Sequence, residues 1–247
     1  MSQATSSQLP AAPDVSHLIT EDDEPVESFF VEKQQRLLTG ALYDNWAGPD
    51  NDGKFLACAN VGIFNTPHNP AIVPDVLLSL DVKLPADIHA KAHCSYYVWE
   101  YGKAPDVVIE IVANQTGGEQ SAKKLKYAFM HVLYYVVFDP SLQLGADVLT
   151  IYSLQGLRYR RHDSLQLPGL GLGLTLWEDE FEGFRQTWLR WTDEQGNIIH
   201  TGKESADRLR AERLEKERER AETEAAQQHA ETLAAQLRAL GHDPAAL

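Results

Sequence analysis

The chain has 247 residues, of which 43% are hydrophobic, and its formal net charge is −14. This size and composition exclude a chain that is disordered throughout, and the negative charge argues against strong sequence-independent attraction to nucleic acid, which uses lysine and arginine to displace counterions from phosphates. With only Cys58 and Cys94 and no apolar run approaching roughly 18 residues, a disulfide framework, a cysteine-based zinc site and a membrane span are excluded as well.

The N-terminal residues 1–26 are rich in Ser, Ala, Pro and acids, so we predict a disordered acidic tail. They lack the basic start and apolar centre of a signal peptide, which predicts a cytoplasmic protein with no membrane partner. A folded domain is predicted over residues 27–200. Within residues 31–202 the acids outnumber the bases by six, so any affinity of this part for DNA must come from a local patch or a bound cation.

The apolar spacing of the domain predicts an α/β order of helices and strands. A first helix is predicted over residues 31–46, and an aromatic segment over 168–191 is predicted to wrap the core. Between them we predict strands at 55–64, 72–82, 96–99, 107–112 and 134–138, a helix at 119–130, and a hairpin of 148–154 with 157–161. This order indicates a mixed sheet flanked by helices.

Residues 201–247 are predicted to form a charged helix. Opposite charges recur at four-residue spacing over 203–240, as in Arg208/Glu212 and Arg213/Glu217, and such pairs support a solvated helix. An apolar seam at heptad spacing occurs only near the end of this segment, at Ala226, Ala230, Leu233, Leu237 and Leu240. Two interpretations stay open: a coiled-coil homodimer, or a single charged helix.

Glu110 is the most informative residue of the domain, because it lies inside the apolar run 107–112. Burying an ionised carboxylate without a partner costs roughly several kcal/mol. Asp75 has a similar apolar setting, and Lys123 and Lys124 follow Glu110 along the chain. One interpretation is a structural pair of acids. The other is a magnesium site, because Mg²⁺ typically takes one or two protein carboxylates and can neutralise phosphate charge and acidify water.

Three segments together carry a resemblance to a known family. They are Val73-Pro74-Asp75-Val76, the run from Pro105 to Val112, and the stretch from Lys123 through Tyr127 to Asp139-Pro140. Over residues 28 to about 191 the chain resembles the Uma2 family of restriction-endonuclease-like proteins, within the PD-(D/E)XK nuclease superfamily.

The resemblance implies a restriction-endonuclease-like αβββαβ core and a metal-dependent endonuclease acting on DNA. It implies Asp75 and Glu110 as ligands of Mg²⁺ or Mn²⁺ and a catalytic lysine. Val112 stands where the lysine of the superfamily motif is usually found, and the spacing to Tyr127 selects Lys123 from the following helix, with Lys124 as the alternative. Glu32 on the first helix is a further candidate metal ligand.

Two departures from the family pattern are Ala113, where serine is common, and His131, where glycine is common. Asp106 is predicted to cap a strand entry and Asp139 to serve in a turn. His89 and His93 are four residues apart, but no glutamate completes a zinc motif with them, which favours a loop.

A second hypothesis from a different functional class stays open alongside the nuclease. The chain would be a catalytically silent nuclease-fold scaffold that oligomerises or binds partners through its C-terminal helix.

Overall fold

The structure is a computed structural model, and it describes residues 28–49, 53–84, 87–112 and 119–239. The predicted acidic tail over 1–26 lies outside the described residues. The chain divides into two compact units, the first ending at Thr201 and the second beginning at Gly202. Within the described residues, no helix has the length and apolar character needed to cross a membrane.

In its described residues, the first unit contains eleven strands and three α-helices. The strands are β1 (Phe55–Ala59), β2 (Ile63–Phe64), β3 (Val76–Leu80), β4 (Tyr96–Tyr97), β5 (Val107–Ile111), β6 (Tyr134–Phe138), β7 (Leu149–Gln155), β8 (Arg158–Arg161), β9 (Gln166–Leu167), β10 (Leu172–Phe181) and β11 (Phe184–Thr192). The helices are α1 (Phe29–Asn45), α2 (Val98–Tyr101) and α3 (Glu119–Met130). A 3-10 turn covers Lys91–His93.

The main sheet has six strands in the order β1-β3-β5-β6-β7-β8. Every neighbouring pair is antiparallel except β5 and β6, which run parallel because α3 carries the chain back to the starting edge. Helix α1, strands β1, β3 and β5, helix α3 and strand β6 therefore follow one another as predicted, and the mixed α/β fold class is confirmed.

Residues of β5 alternate between two hydrophobic cores. Val107 and Ile109 belong to the core that also contains Leu38 and Leu42 of α1, whereas Val108 packs with Tyr127 of α3. Because successive side chains on a strand point to opposite faces, α1 covers one face of the sheet and α3 covers the other. The alternation places Glu110 on the α3 face.

Three predicted elements differ from the structure. The strand predicted over 55–64 is two strands in different sheets, because the backbone turns at Asn60, where φ is 54°. The strand predicted over 96–99 ends at Tyr97, and α2 begins at Val98. The segment predicted only to wrap the core is a three-stranded sheet of β9, β10 and β11, in which Trp188 and Trp191 are buried.

The second unit contains α4 (Gly202–Ala239), a helix of 38 residues whose described side chains are almost all exposed. The long solvated helix is confirmed, and Lys216 and Glu212 form one of the four-residue ion pairs at 2.8 Å. The coiled coil and the homodimer stay predictions.

Helix α3 is followed by a residue whose backbone conformation is left-handed. His131 follows Met130 with φ at 63°, and its amide donates to the Ala128 carbonyl at 3.1 Å. Left-handed backbone of this kind costs a residue with a Cβ roughly 1 to 2 kcal/mol, whereas glycine adopts it freely.

We therefore expect His131→Gly to raise the free energy of unfolding by roughly 0.5 to 1 kcal/mol, since the relief of backbone strain exceeds the entropic cost of the added glycine. Urea denaturation followed by circular dichroism measures this change. His131→Ala, which keeps the Cβ, is the control and should show no such gain. A lower stability for the glycine variant would contradict the argument.

Candidate metal and hydrolysis site

The register of β3 against β5 brings the two predicted acids together. Val76 is opposite Ile109 and Leu77 is opposite Val108 in this antiparallel pair. The paired residues end there, and Asp75 immediately precedes β3. Its carboxylate accepts from the amide of Ile111, the residue after Glu110, and its charge raises the pKa of Glu110, so both carboxylates lie close together at this end of the sheet.

Glu110 is 5% exposed, and its two carboxylate oxygens accept hydrogen bonds from different residues of α3. The Lys123 ammonium donates to Oε2 at 2.9 Å, and the Tyr127 hydroxyl donates to Oε1 at 2.6 Å. Lys123 and Tyr127 are four residues apart and so lie on the same face of the helix. The buried carboxylate therefore has both the cation and the donors that its burial requires.

Asp75 is held by donors from two other elements. The backbone amide of Ile111, the residue after Glu110, donates to Oδ2 at 2.7 Å. The side chain of Gln35 on α1 donates to Oδ1 at 3.0 Å. The Asp75 carboxylate is therefore fixed to the backbone of β5 beside Glu110.

The structure distinguishes the two candidate lysines. Lys123 contacts Glu110 and also donates to the Val73 carbonyl at 3.3 Å. Lys124 points elsewhere, with its ammonium 3.2 Å from the centre of the Tyr152 ring. Successive helical residues are about 100° apart around the axis, which separates the two side chains. Asp75, Glu110 and Lys123 thus converge.

Burial is the main cause of a raised pKa at Glu110, which lies at about 7. The Lys123 ammonium acts in the opposite direction, and the negative charge of Asp75 raises the pKa further. The pKa of Tyr127 lies well above its ordinary value because of burial and the Glu110 charge, so the phenol remains a hydrogen-bond donor. Burial and the neighbouring Asp75 charge therefore oppose ionisation of Glu110, and the Lys123 ammonium favours it.

Glu32 is not brought to this group by the described contacts. Its carboxylate accepts from the Arg36 guanidinium at 2.9 Å on the exposed side of α1, and Arg36 also binds Glu182 at 2.7 Å. Gln35, one helical turn after Glu32, is the α1 residue that contacts Asp75. The sequence analysis selected Glu32, the acid on this helix, whereas the side-chain amide of Gln35 makes the contact with Asp75.

The sequence analysis assigned no functional role to three residues of the site: Gln35, Asn60 and Tyr127. A usable signal existed for Gln35, because it precedes the core residues Leu38 and Leu42 by three and seven positions. A polar residue at such core-facing spacing needs a partner. Tyr127 had the four-residue spacing to Lys123. For Asn60 we find no sequence signal.

The structure also shows the contacts or the element of the remaining candidate residues. Asp106, at the opposite end of β5, pairs with Lys103 at 2.6 Å and accepts from the Leu80 amide at 2.8 Å. Asp139 accepts two backbone amides in a turn, as predicted. His93 lies in the short 3-10 turn.

Among the described residues, no group of three or more His, Cys, Asp or Glu could hold a metal ion. Ala113 lies outside the described residues.

The sequence profile of the Uma2 family, described as "Putative restriction endonuclease", matches residues 12–177. One similar solved structure is "a putative nuclease belonging to DUF820" from Anabaena variabilis ATCC 29413, with 15% identity, coverage of 57% of this chain and 71% of that chain, and a TM-score of 0.40. No curated protein is similar enough to this chain to count as a match. Since the family profile spans well over half of the sequence, the chain belongs to the Uma2 family.

Proposed function

We propose that this chain is a metal-dependent endonuclease that hydrolyses phosphodiester bonds of DNA. In this proposal Asp75 and Glu110 hold Mg²⁺ or Mn²⁺, and Lys123 orients the attacking water or the phosphate. The observation that carries it is the proximity of two carboxylates, Asp75 just before β3 and Glu110 in the neighbouring β5, with the Lys123 ammonium 2.9 Å from Glu110. Membership of a family described as restriction endonucleases supports the same reaction class.

The donor set of the site fits a hard divalent cation. Mg²⁺ typically binds one or two protein carboxylates and keeps several waters, which two acids without a third protein ligand allow. Zinc sites instead use mainly cysteine and histidine, and neither contacts Asp75 or Glu110 in the described hydrogen bonds. A cation held here would neutralise phosphate charge and lower the pKa of a bound water.

Lys123 and Tyr127 divide the work of holding Glu110. Tyr127 fixes the Oε1 oxygen from inside the core, where it is fully buried. Lys123 is half-buried, and its ammonium reaches the edge of the site, where it donates to Oε2 of Glu110 and to the Val73 carbonyl. A compact ammonium in this place can hold a phosphate oxygen or a water while remaining beside the carboxylate.

Titration of Mn²⁺ by calorimetry tests the cation site without a substrate. We expect Glu110→Gln to weaken Mn²⁺ binding by more than about 100-fold, because losing merely an outer partner of a metal ligand costs about 10- to 100-fold. Asp106→Asn is the matched control, since Asp106 is also a buried acid but lies at the other end of β5. Wild-type protein that binds no cation would contradict the proposal and favour a catalytically silent scaffold.

Cleavage of supercoiled plasmid and of single-stranded DNA with Mg²⁺ or Mn²⁺ tests the reaction. We expect Asp75→Asn, Glu110→Gln and Lys123→Met each to lower the cleavage rate by about 100-fold or more, as loss of a positioned catalytic group commonly does. Lys124→Met is the control, because the Lys124 ammonium lies over Tyr152. Cleavage that survives all three site substitutions would rule out this site as the catalytic one.

The stability of the cation-free protein should depend on pH through Glu110. A carboxyl whose pKa is raised from 4.5 in the unfolded chain to about 7 in the folded state contributes stability that is present below pH 4.5. This contribution is lost as the pH rises through 7, because ionisation then becomes costly in the folded state.

We therefore expect Glu110→Gln to gain stability relative to wild type between pH 4.5 and pH 7, by roughly 3 kcal/mol over the range. Urea denaturation in EDTA at a series of pH values measures the difference. Adding Mn²⁺ should reduce it, since the cation stabilises the ionised wild type. A difference that stays constant with pH would show that Glu110 does not titrate in this way.

A further inference from the structure

Gln35 is a polar residue on the core-facing side of α1, where it is only 4% exposed. A buried amide needs hydrogen-bond partners, and leaving one unsatisfied costs roughly 1 to 3 kcal/mol. Its partners are Asn60, which follows β1, and Asp75, which precedes β3. The bonds of Gln35 thus reach the proposed cation site from the helix on the opposite face to α3.

The geometry of these bonds fixes the orientation of the Gln35 amide. Its Nε2 donates to Asp75 Oδ1 at 3.0 Å and to Asn60 Oδ1 at 2.9 Å, which uses both hydrogens. Asn60 Nδ2 donates back to Gln35 Oε1 at 3.2 Å. An ionised carboxylate only accepts, so Gln35 must present its nitrogen to Asp75, and the reciprocal pair with Asn60 holds that choice.

Asn60 also holds the main chain at Asp75. Its backbone amide donates to the Asp75 carbonyl at 3.2 Å. Its φ of 54° is left-handed, a conformation that asparagine adopts more readily than most residues. Asn60 therefore restrains Asp75 twice, directly through the backbone and indirectly through the Gln35 amide.

We propose that Gln35 and Asn60 are positioning residues that hold the Asp75 carboxylate in the orientation in which it shares a divalent cation with Glu110. This inference rests on the proposed function. Gln35 at Oδ1 and the Ile111 amide at Oδ2 come from different elements, so together they restrict rotation of the carboxylate. Such outer partners orient a metal ligand and typically contribute 10- to 100-fold to metal affinity, as an order of magnitude.

Gln34 supplies a matched control from the same helix. It is also a buried amide, but its Nε2 donates to the Leu189 carbonyl at 2.9 Å and its Oε1 accepts from the Leu189 amide at 2.9 Å. These bonds join α1 to β11. Replacing Gln34 therefore removes two buried hydrogen bonds from α1, against three for Gln35, without touching Asp75.

The test is calorimetric titration of Mn²⁺ into the full chain, with melting followed by circular dichroism for each variant. We expect Gln35→Met to bind Mn²⁺ about 10- to 100-fold more weakly than wild type. Asn60→Gly, which keeps the left-handed backbone and its amide, should weaken binding by a smaller factor. The double variant should bind no more weakly than Gln35→Met alone, because Asn60 acts on the carboxylate through Gln35. Gln34→Met should melt at a lower temperature yet keep the wild-type affinity.

Wild-type affinity in a folded Gln35→Met variant would overturn the inference. An equal loss of affinity in Gln34→Met would overturn it too, since the effect would then follow from general destabilisation. If Gln35→Met does not fold, Asn60→Gly decides, and an unchanged affinity there counts against the role. Wild-type protein that binds no Mn²⁺ would instead refute the cation site, which distinguishes failure of the proposed function from failure of the positioning role.

Discussion

The buried carboxylate of Glu110 is the group on which the arrangement of the site depends. Its place in the middle of an apolar strand would cost several kcal/mol, as an order of magnitude, without compensation. Lys123 and Tyr127 provide that compensation from two consecutive turns of α3. The requirement to balance this one charge therefore links the central strand to the helix that crosses over it, and leaves an ammonium at the edge of the sheet beside two acids.

Asp75 extends this arrangement to the other face of the sheet. It comes just before β3, where the sheet ends, so a side chain from α1 can reach it although α1 and α3 pack on opposite faces. Gln35 does so as a neutral donor. A carboxylate in its place would add a third negative charge beside two acids, which would raise the cost of ionisation at all of them. The acid of the same helix, Glu32, pairs instead with Arg36 at the surface.

The spacing of apolar residues predicted most of the helices and strands, because the alternation of buried and exposed side chains depends on neighbouring residues. The apolar alternation of residues 107–112 and 134–138 gave β5 and β6, and the charge spacing after residue 202 gave α4. The pattern failed where a single backbone turn redirects the chain, as at Asn60 and after Tyr97. It also missed β10 and β11, whose outer halves project beyond the core and lack a continuous apolar signal.

The sequence by itself determined that one acid would be buried in a central strand, and the four-residue spacing of Lys123 and Tyr127 placed an amine and a phenol on one helical face. Only the tertiary structure decided that Asp75 lies beside Glu110 and that Gln35 contacts Asp75, 40 residues away along the chain. The physical reason is the separation along the chain of the residues that determine each feature. Helical and strand periods follow from neighbouring residues, whereas these contacts depend on strand register and on how a helix packs against the sheet.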